Sequence, residues 1–415
     1  MSGHEQADYV LWTGQISVRH DKSRADCSCR VTFDLRRKNP LRFVLDAPTF
    51  HTDVNSLFLQ FPHIKGEIEA FVVEMTMFGD GDTVLSPRFS RVWCSSGIST
   101  RKVHAGIINL GEYLFIGLGG KHVCELMFEG WSIYIEPVPK TLQFPPHVQS
   151  PEYHFDHHLC MVRTDGSQFS AEDAEKRIHR LCSFLSFCRG GWVSTALATG
   201  LGETGELAVA EWGTGQVSPA SGSISGWLDK IQGGEMSILY PAFCTRMADE
   251  SFAETFGIVL YWYIRSDTKN VGPDGGLILL QTALERIAWH VLVHERHALN
   301  AEGFGRLTAS DQLRLLLTML SIPTQIPVQL EVISALGRSN AADGPQCLTL
   351  IRNSLVHPPR KPTGPKKYPY YEAYTLAKWY LELILLRSFG YNGKYSNRTK
   401  RRWTGELEPV PWANG

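Results

Sequence analysis

The spacing of apolar residues changes once along the chain, and that change constrains the fold more than any other feature. Up to about residue 165 the apolar residues come in short runs rich in β-branched and aromatic types, such as "SLFLQF", "EIEAFVVEMTMF", "KVHAGIINL" and "WSIYIEPV". Turn clusters such as "GDGD" and "LGGK" divide them. Many short strands separated by regular turns predict an antiparallel sandwich or open barrel. From about residue 248 the spacing becomes helical. "SFAETFGIVLYWYIRS", "GLILLQTALERIAWHVLVHERH" and "YYEAYTLAKWYLELILLRSFG" carry apolar stripes and are joined by links holding Gly or Pro. Consecutive amphipathic helices on short links become antiparallel neighbours, an up-down bundle. The expectation is therefore α+β, with a sandwich-like β-rich domain over 1–249 and an all-α bundle over 250–415. A chain of 415 residues also exceeds what one ordinary core organises.

One helix interrupts the β region. Ser170 is a good N-cap, and Asp173 stands in the capping-box position three residues on. Ala174, Ile178, Leu181, Leu185 and Cys188 form one apolar stripe, and Gly190 ends it, giving a helix over about 171–189. The β-like runs "WVSTALATGL" and "GELAVAEWG" follow, then a Gly/Ser-rich loop, "GTGQVSPASGSISG".

Within the helical half, "LIRNSLVHPP" stands out. Asp343 is placed to cap the helix before it, with Pro345 in the first turn. A residue preceding proline avoids the α region, so the helix should end at His357, ahead of Pro358. A positive charge is favoured there by the helix dipole. Asn353 and His357 share a face, whereas Arg352 lies about 140° round from His357. The two meet at one point only through a flexible arginine or a second copy of the helix. The chemistry of the three types is coherent. Arginine grips a phosphate with two charge-assisted bonds. Histidine takes or gives a proton near neutral pH. Asparagine orients the histidine or holds a sugar or phosphate oxygen. Such a set cleaves RNA without metal: the 2′-hydroxyl attacks the adjacent phosphorus, and the charge growing on the phosphoryl oxygens is stabilised electrostatically.

An R-N-x-x-x-H motif near the C-terminal end of a helix, in an all-α bundle, resembles the HEPN superfamily (higher eukaryotes and prokaryotes nucleotide-binding). The matching residues are Arg352, Asn353 and His357, and the flanking Leu350, Ile351, Leu355 and Val356 also fit the motif helix. The resemblance covers residues 250–415. It implies a metal-independent endoribonuclease acting in bacterial anti-phage defence, abortive infection or stress, with its site formed from two motif helices across a homodimer. It also implies a polar partner for the arginine from an earlier helix, for which Glu285 in "QTALERIAWH" is the candidate. The β domain would then sense a trigger, bind an inhibitor or restrain the nuclease. The layout is similar to that of bacterial abortive-infection proteins. Two other readings stand beside this one. The bundle could be non-catalytic, binding RNA or nucleotide or acting as a scaffold. It could also partner a nucleotidyl-transfer enzyme, although no transferase motif is visible.

Two basic stretches suit single-stranded RNA, with cations for phosphates and rings for bases. The first follows the motif and holds Arg360, Lys361, Lys366 and Lys367 among tyrosines. The second, "YNGKYSNRTKRRW", contributes Lys394 and Arg398. Its plainer reading is a solvated basic tail.

The remaining features exclude more than they suggest. A net charge of −1 sets up no global field toward nucleic acid or membrane. The N-terminus "MSGHEQADYV" lacks a signal-peptide pattern. Charges interrupt the apolar stretches before the ~20 residues of a membrane span, so no membrane association is expected. Nine scattered cysteines without a repeated C-x-x-C read as free thiols of a reducing cytoplasm. No cofactor is expected, since no G-x-x-x-x-G-K-[ST] occurs. No metal is expected either. His290, His294 and His297 match H-E-x-x-H only loosely, "HFDHHLC" is explained by a β-edge pattern, and "GDGD" lacks the other ligands of a calcium loop.

Overall fold

The structure, a computed structural model, describes residues 9–20, 23–37, 40–46, 56–62, 64, 67–75, 83–87, 91–111, 123–138, 150–220, 226–340, 342–357, 369–400 and 403–413. The described residues fall into two compact units. One runs to Ser186 and resumes over Trp192–Ala220. The other holds Phe187–Gly191 and the described residues from Gly226 onward.

The first unit begins with a closed antiparallel barrel. Its strands are β1 (Tyr9–His20), β2 (Ser23–Phe33), β3 (Leu41–Leu45), β4 (Ser56–Gln60), β5 (Ile68–Met75) and β6 (Thr83–Pro87), in the order β1-β2-β3-β6-β5-β4. β1 closes it by pairing with β4, Ser17 opposite Gln60. Ile16, Val18, Val31, Phe43, Leu45, Leu57, Leu59 and Leu85 fill its core. A seven-stranded antiparallel sheet follows. It is built from β7 (Arg91–Ser95), β8 (Lys102–Ile108), β9 (Cys124–Phe128), β10 (Trp131–Pro137), β11 (Phe155–Arg163), β12 (Ser194–Leu201) and β13 (Leu207–Gly213), in the order β7-β13-β12-β8-β11-β10-β9. The antiparallel expectation is met, but the sandwich is corrected to a barrel beside a sheet. Short strands with one apolar face each leave no exposed edge when they close. Ala210 and Trp212 of β13 and Cys94 of β7 enter the barrel's core, with the Trp212 ring 5.2 Å from that of Phe61.

The interrupting helix, α1 (Ala171–Arg189), starts with the reciprocal bonds of a capping box. Asp173 N–H donates to Ser170 Oγ at 3.1 Å, and Ser170 N–H to Asp173 Oδ2 at 3.3 Å. Gly190, at φ +79°, takes the left-handed turn that ends it.

The second unit is helical: α2 (Glu235–Arg246), α3 (Glu250–Arg265), α4 (Gly272–Trp289), α5 (Ala301–Arg306), α6 (Ala309–Met319), α7 (Glu331–Ser339), α8 (Gly344–Val356) and α9 (Tyr370–Ser388). Two-residue strands β14 (Lys394–Tyr395) and β15 (Glu408–Pro409) pair near the end. The helical unit thus begins ahead of Glu250. α2 escapes sequence reading because Pro241 lies inside it, and proline argues against a helix interior. The segment Gly272–Glu295 is, by length and composition, apolar enough to cross a membrane, which the sequence reading did not anticipate. Within the unit, 61 % of its apolar window is buried. α9 is the hub, unbroken in its burial from Ala373 to Leu386 and packed against α4, α7 and α8. It also caps α7: Glu372 accepts the N–H groups of Val332 and Ile333 at 2.9 and 3.0 Å.

A buried ion pair ties β7 to β13 in the first unit. Glu211 is 1 % exposed and pairs with Arg91, whose Nη2 also donates to Thr195 Oγ1 at 2.6 Å and Ser194 Oγ at 3.1 Å. Removing one member leaves the other charge buried and uncompensated. Glu211→Ala should therefore cost about 3–5 kcal/mol in urea denaturation, and the double variant Arg91→Met/Glu211→Leu should recover most of that loss. A single-variant loss below ~1 kcal/mol would remove the pair from any structural role.

Candidate functional site

α8 carries the motif, and its start is held firmly. Asp343 caps it, accepting from Gln346 N–H at 3.0 Å. Arg314 of α6 grips the same carboxylate through Nε at 2.6 Å and Nη2 at 2.9 Å. Burial works to raise the Asp343 carboxyl, but the bonds from Arg314 and the Gln346 amide outweigh it and hold the group below its ordinary value. Gly344 is required for a close approach: a Cβ there would lie 2.1 Å from the Tyr380 hydroxyl and 2.9 Å from Thr324 O. Cys347, Leu348 and Ile351 form the buried stripe. Burial, then Asp343, pushes the Cys347 thiol up to about 11, so it is no nucleophile for this helix.

At the other end of α8 the polar residues Asn353 and His357 are exposed. The helix stops at Val356. His357 leaves the α region at φ −125°, ψ 78°, while its N–H still donates to Asn353 O at 2.8 Å. Asn353 and His357 are exposed, flanked by Leu350 at 46 % and Val356 at 42 % exposure. Arg352 is half-buried. Its Nη1 donates to Asn353 Oδ1 at 3.2 Å, and its buried Nε has no hydrogen-bond partner among the described residues. It forms no ion pair with a carboxylate of the described residues.

The other expected site residues fare differently. Glu285 is half-buried on α4, which packs against α8, but its carboxylate accepts from Gln281 Nε2 at 3.0 Å and makes no ion pair with Arg352. Arg398, one of the expected RNA-binding residues, is engaged within the fold. Its Nε donates to Glu382 at 2.7 Å, Glu382 is fully buried, and Tyr263 donates to the same carboxylate at 2.5 Å. Its guanidinium is committed to the fold because a buried carboxylate needs a cation. Lys394 is exposed on β14. Arg360, Lys361, Lys366 and Lys367 lie outside the described residues. His290 begins a π-helical turn, His290–Glu295, and its Nδ1 meets Thr255 Oγ1 at 3.1 Å. Among the described residues no three His, Cys, Asp or Glu side chains converge as a metal site. Sequence reading missed the cross-strand pair His104 and His158, with ring nitrogens 3.1 Å apart. Each sits at an outward position of its strand, but their pairing depends on a register that one sequence does not display.

The arrangement defines a class: an α+β chain whose helical unit carries an arginine, an asparagine and a histidine at the C-terminal end of one well-anchored helix. Residues 102–223 match the family profile of the YopA central domain, and residues 249–408 that of the YopA C-terminal domain. The SPbeta prophage-derived uncharacterized protein YopA of Bacillus subtilis (strain 168) is 29 % identical over 264 residues, 63 % of this chain. The match spans 58 % of that relative's length. No solved structure matches the chain.

The anchoring of α8 is testable. Asp343→Ala removes both cap and ion pair and should cost about 1–2 kcal/mol by urea denaturation, whereas Asp343→Asn keeps a capping side chain and should cost less. A carboxylate held below its ordinary value contributes stability that is fully present above the unfolded pKa, about 3.9, and is lost as pH falls through the folded value. The stability gap between wild type and Asp343→Asn should hold down to about pH 4 and shrink only below it. A gap that closed near neutral pH would assign the effect to another group.

Proposed function

We propose that this chain is a metal-independent endoribonuclease of the HEPN kind, with an up-down helical bundle whose site is completed across a homodimer. One observation carries the reading: among the described residues Arg352 has no carboxylate partner and its buried Nε no hydrogen-bond partner, and it stands beside exposed Asn353 and His357. Arg246, Arg306, Arg314 and Arg398 of the same unit pair with carboxylates, whereas Arg352, like Arg265, Arg338 and Arg387, forms no ion pair among the described residues. A phosphate would supply what Arg352 lacks. Arg352 would grip the scissile phosphate, His357 would move the proton, and Asn353 would orient it. The exposed Leu350 and Val356 give a second copy's α8 an apolar rim, and two copies about a two-fold axis bring each arginine toward the other's histidine. The β-rich unit would sense a trigger or restrain the nuclease. The prophage origin stated for the relative suits a role in conflict between phage and host, in the cytoplasm. The rival is a non-catalytic bundle that binds RNA or nucleotide or serves as a scaffold. It is favoured by the engagement of Glu285 with Gln281 rather than with Arg352.

Purified protein should cleave RNA in EDTA, leave 2′,3′-cyclic phosphate ends and spare DNA, which lacks the attacking hydroxyl. His357→Ala should lower the rate by about 10²–10⁴-fold with unchanged melting behaviour. A strict need for divalent metal, 3′-hydroxyl products, or an undiminished rate in the variant would each defeat the assignment.

The composite site has its own test. Mixing Arg352→Ala chains with His357→Ala chains allows heterodimers in which one of two cross-subunit pairs is intact, so cleavage should partly recover. A protein that stays monomeric while cleaving, with no recovery on mixing, would confine the site to one chain.

A further inference from the structure

The β-rich unit holds a second place where chemistry converges. A cleft of about 460 Å³ has Arg101, Lys102, His104, Thr199, Leu201 and Glu203 among its lining residues. That volume lies within the range of small-ligand sites. Lys102 and His104 are exposed positions of β8, alternating with buried Val103 and Ala105. Thr199, opposite His104, and Leu201 are the exposed positions of β12. Strand alternation therefore puts a cation, an imidazole, a hydroxyl and an apolar side chain on one surface.

The cations lining this cleft outnumber its lining carboxylates, with Glu136 of β10 beyond them, paired in register with His158. Glu203 is the cleft's one lining carboxylate and is already engaged, accepting from Arg101 Nη2 at 2.8 Å and Gln168 Nε2 at 2.9 Å. The Lys102 amine makes no hydrogen bond or ion pair among the described residues. His104 Nδ1 lies 3.1 Å from Nε2 of His158, with near-parallel rings 5.0 Å apart. Between two neutral imidazoles one nitrogen must donate and the other accept. If His158 donates, His104 Nδ1 accepts and its Nε2–H is left as a donor. An anion in the cleft selects that tautomer, because it needs a donor.

We propose that this cleft binds a small phosphorylated ligand of nucleotide size, its phosphate held by Lys102 and His104 and its body lying along Thr199 and Leu201. Arg101 joins when the phosphate replaces Glu203 on its guanidinium. Several cationic and hydroxyl donors in one cleft suit a phosphate, with three acceptor oxygens and more than one charge, better than a carboxylate. Leu201, 52 % exposed, supplies the apolar wall for an organic body.

Isothermal titration calorimetry of the full chain tests this with ADP, inorganic pyrophosphate and adenosine as probes. ADP and pyrophosphate should bind, with adenosine far weaker. Lys102→Ala should weaken ADP by about tenfold or more, and Thr199→Trp, which fills the cleft, should abolish ADP binding. Lys176→Ala, an exposed charge on α1, and His357→Ala should leave binding unchanged, which keeps this result separate from any RNA cleavage. Matched melting curves exclude misfolding. No ADP or pyrophosphate binding by wild-type protein at millimolar concentration, adenosine binding as tight as ADP, or wild-type affinity in both cleft variants would overturn the proposal.

Discussion

The helical unit depends on a carboxylate buried in the middle of its central helix. Glu382 of α9 is fully inaccessible. It is held by Arg398, sixteen residues further along the chain, and by the Tyr263 hydroxyl of α3. One turn earlier, Lys378 reaches Asp267 at 2.7 Å, and Tyr374 donates to the same carboxylate at 2.8 Å. Burying such charges is unfavourable unless each meets a partner with good geometry. Once the partners are met, the arrangement is selective. α9 has one rotation and one depth at which both acidic groups are satisfied. α3, the loop after it and the C-terminal segment are fixed together by that choice, and α8 packs on the helix so positioned.

How much of this was legible differs from element to element. α1 and α8 could be read because each announces itself locally: Ser170 and Asp173 at one start, Asp343 and Pro345 at the other, Gly190 and the prolines after His357 at the ends. The barrel could not. Its closure rests on β1 meeting β4 and β3 meeting β6, pairings between distant segments whose patterns are equally compatible with a sandwich. The ion pair of Arg398 was hidden for a related reason. In sequence it sits in a basic, aromatic stretch that resembles a solvated tail, and nothing local shows that a buried glutamate waits for it.

The candidate site divides along the same line. Arg352 and Asn353 lie within one helix and His357 directly at its end, so they were legible from local spacing. Whether Glu285 joins them, or His104 finds His158, is a matter of packing between elements. The structure brings the second pair together and leaves the first apart. The motif helix and the cleft of the sheet thus rest on different kinds of support, one on a helix whose stiffness is intrinsic, the other on the register of neighbouring strands.

The cap of α7 has a consequence for how the chain acquires its order. Helices usually carry their first-turn acceptor just ahead of themselves, but here Glu372, some forty residues later in the chain, accepts the amides of Val332 and Ile333. A nine-residue helix is marginal by itself in water. During synthesis, residues 331–339 leave the ribosome well before the acceptor they need. The cap of α7 is therefore complete only once the start of α9 exists, so the helices before and after the motif helix are tied to each other across it in the chain.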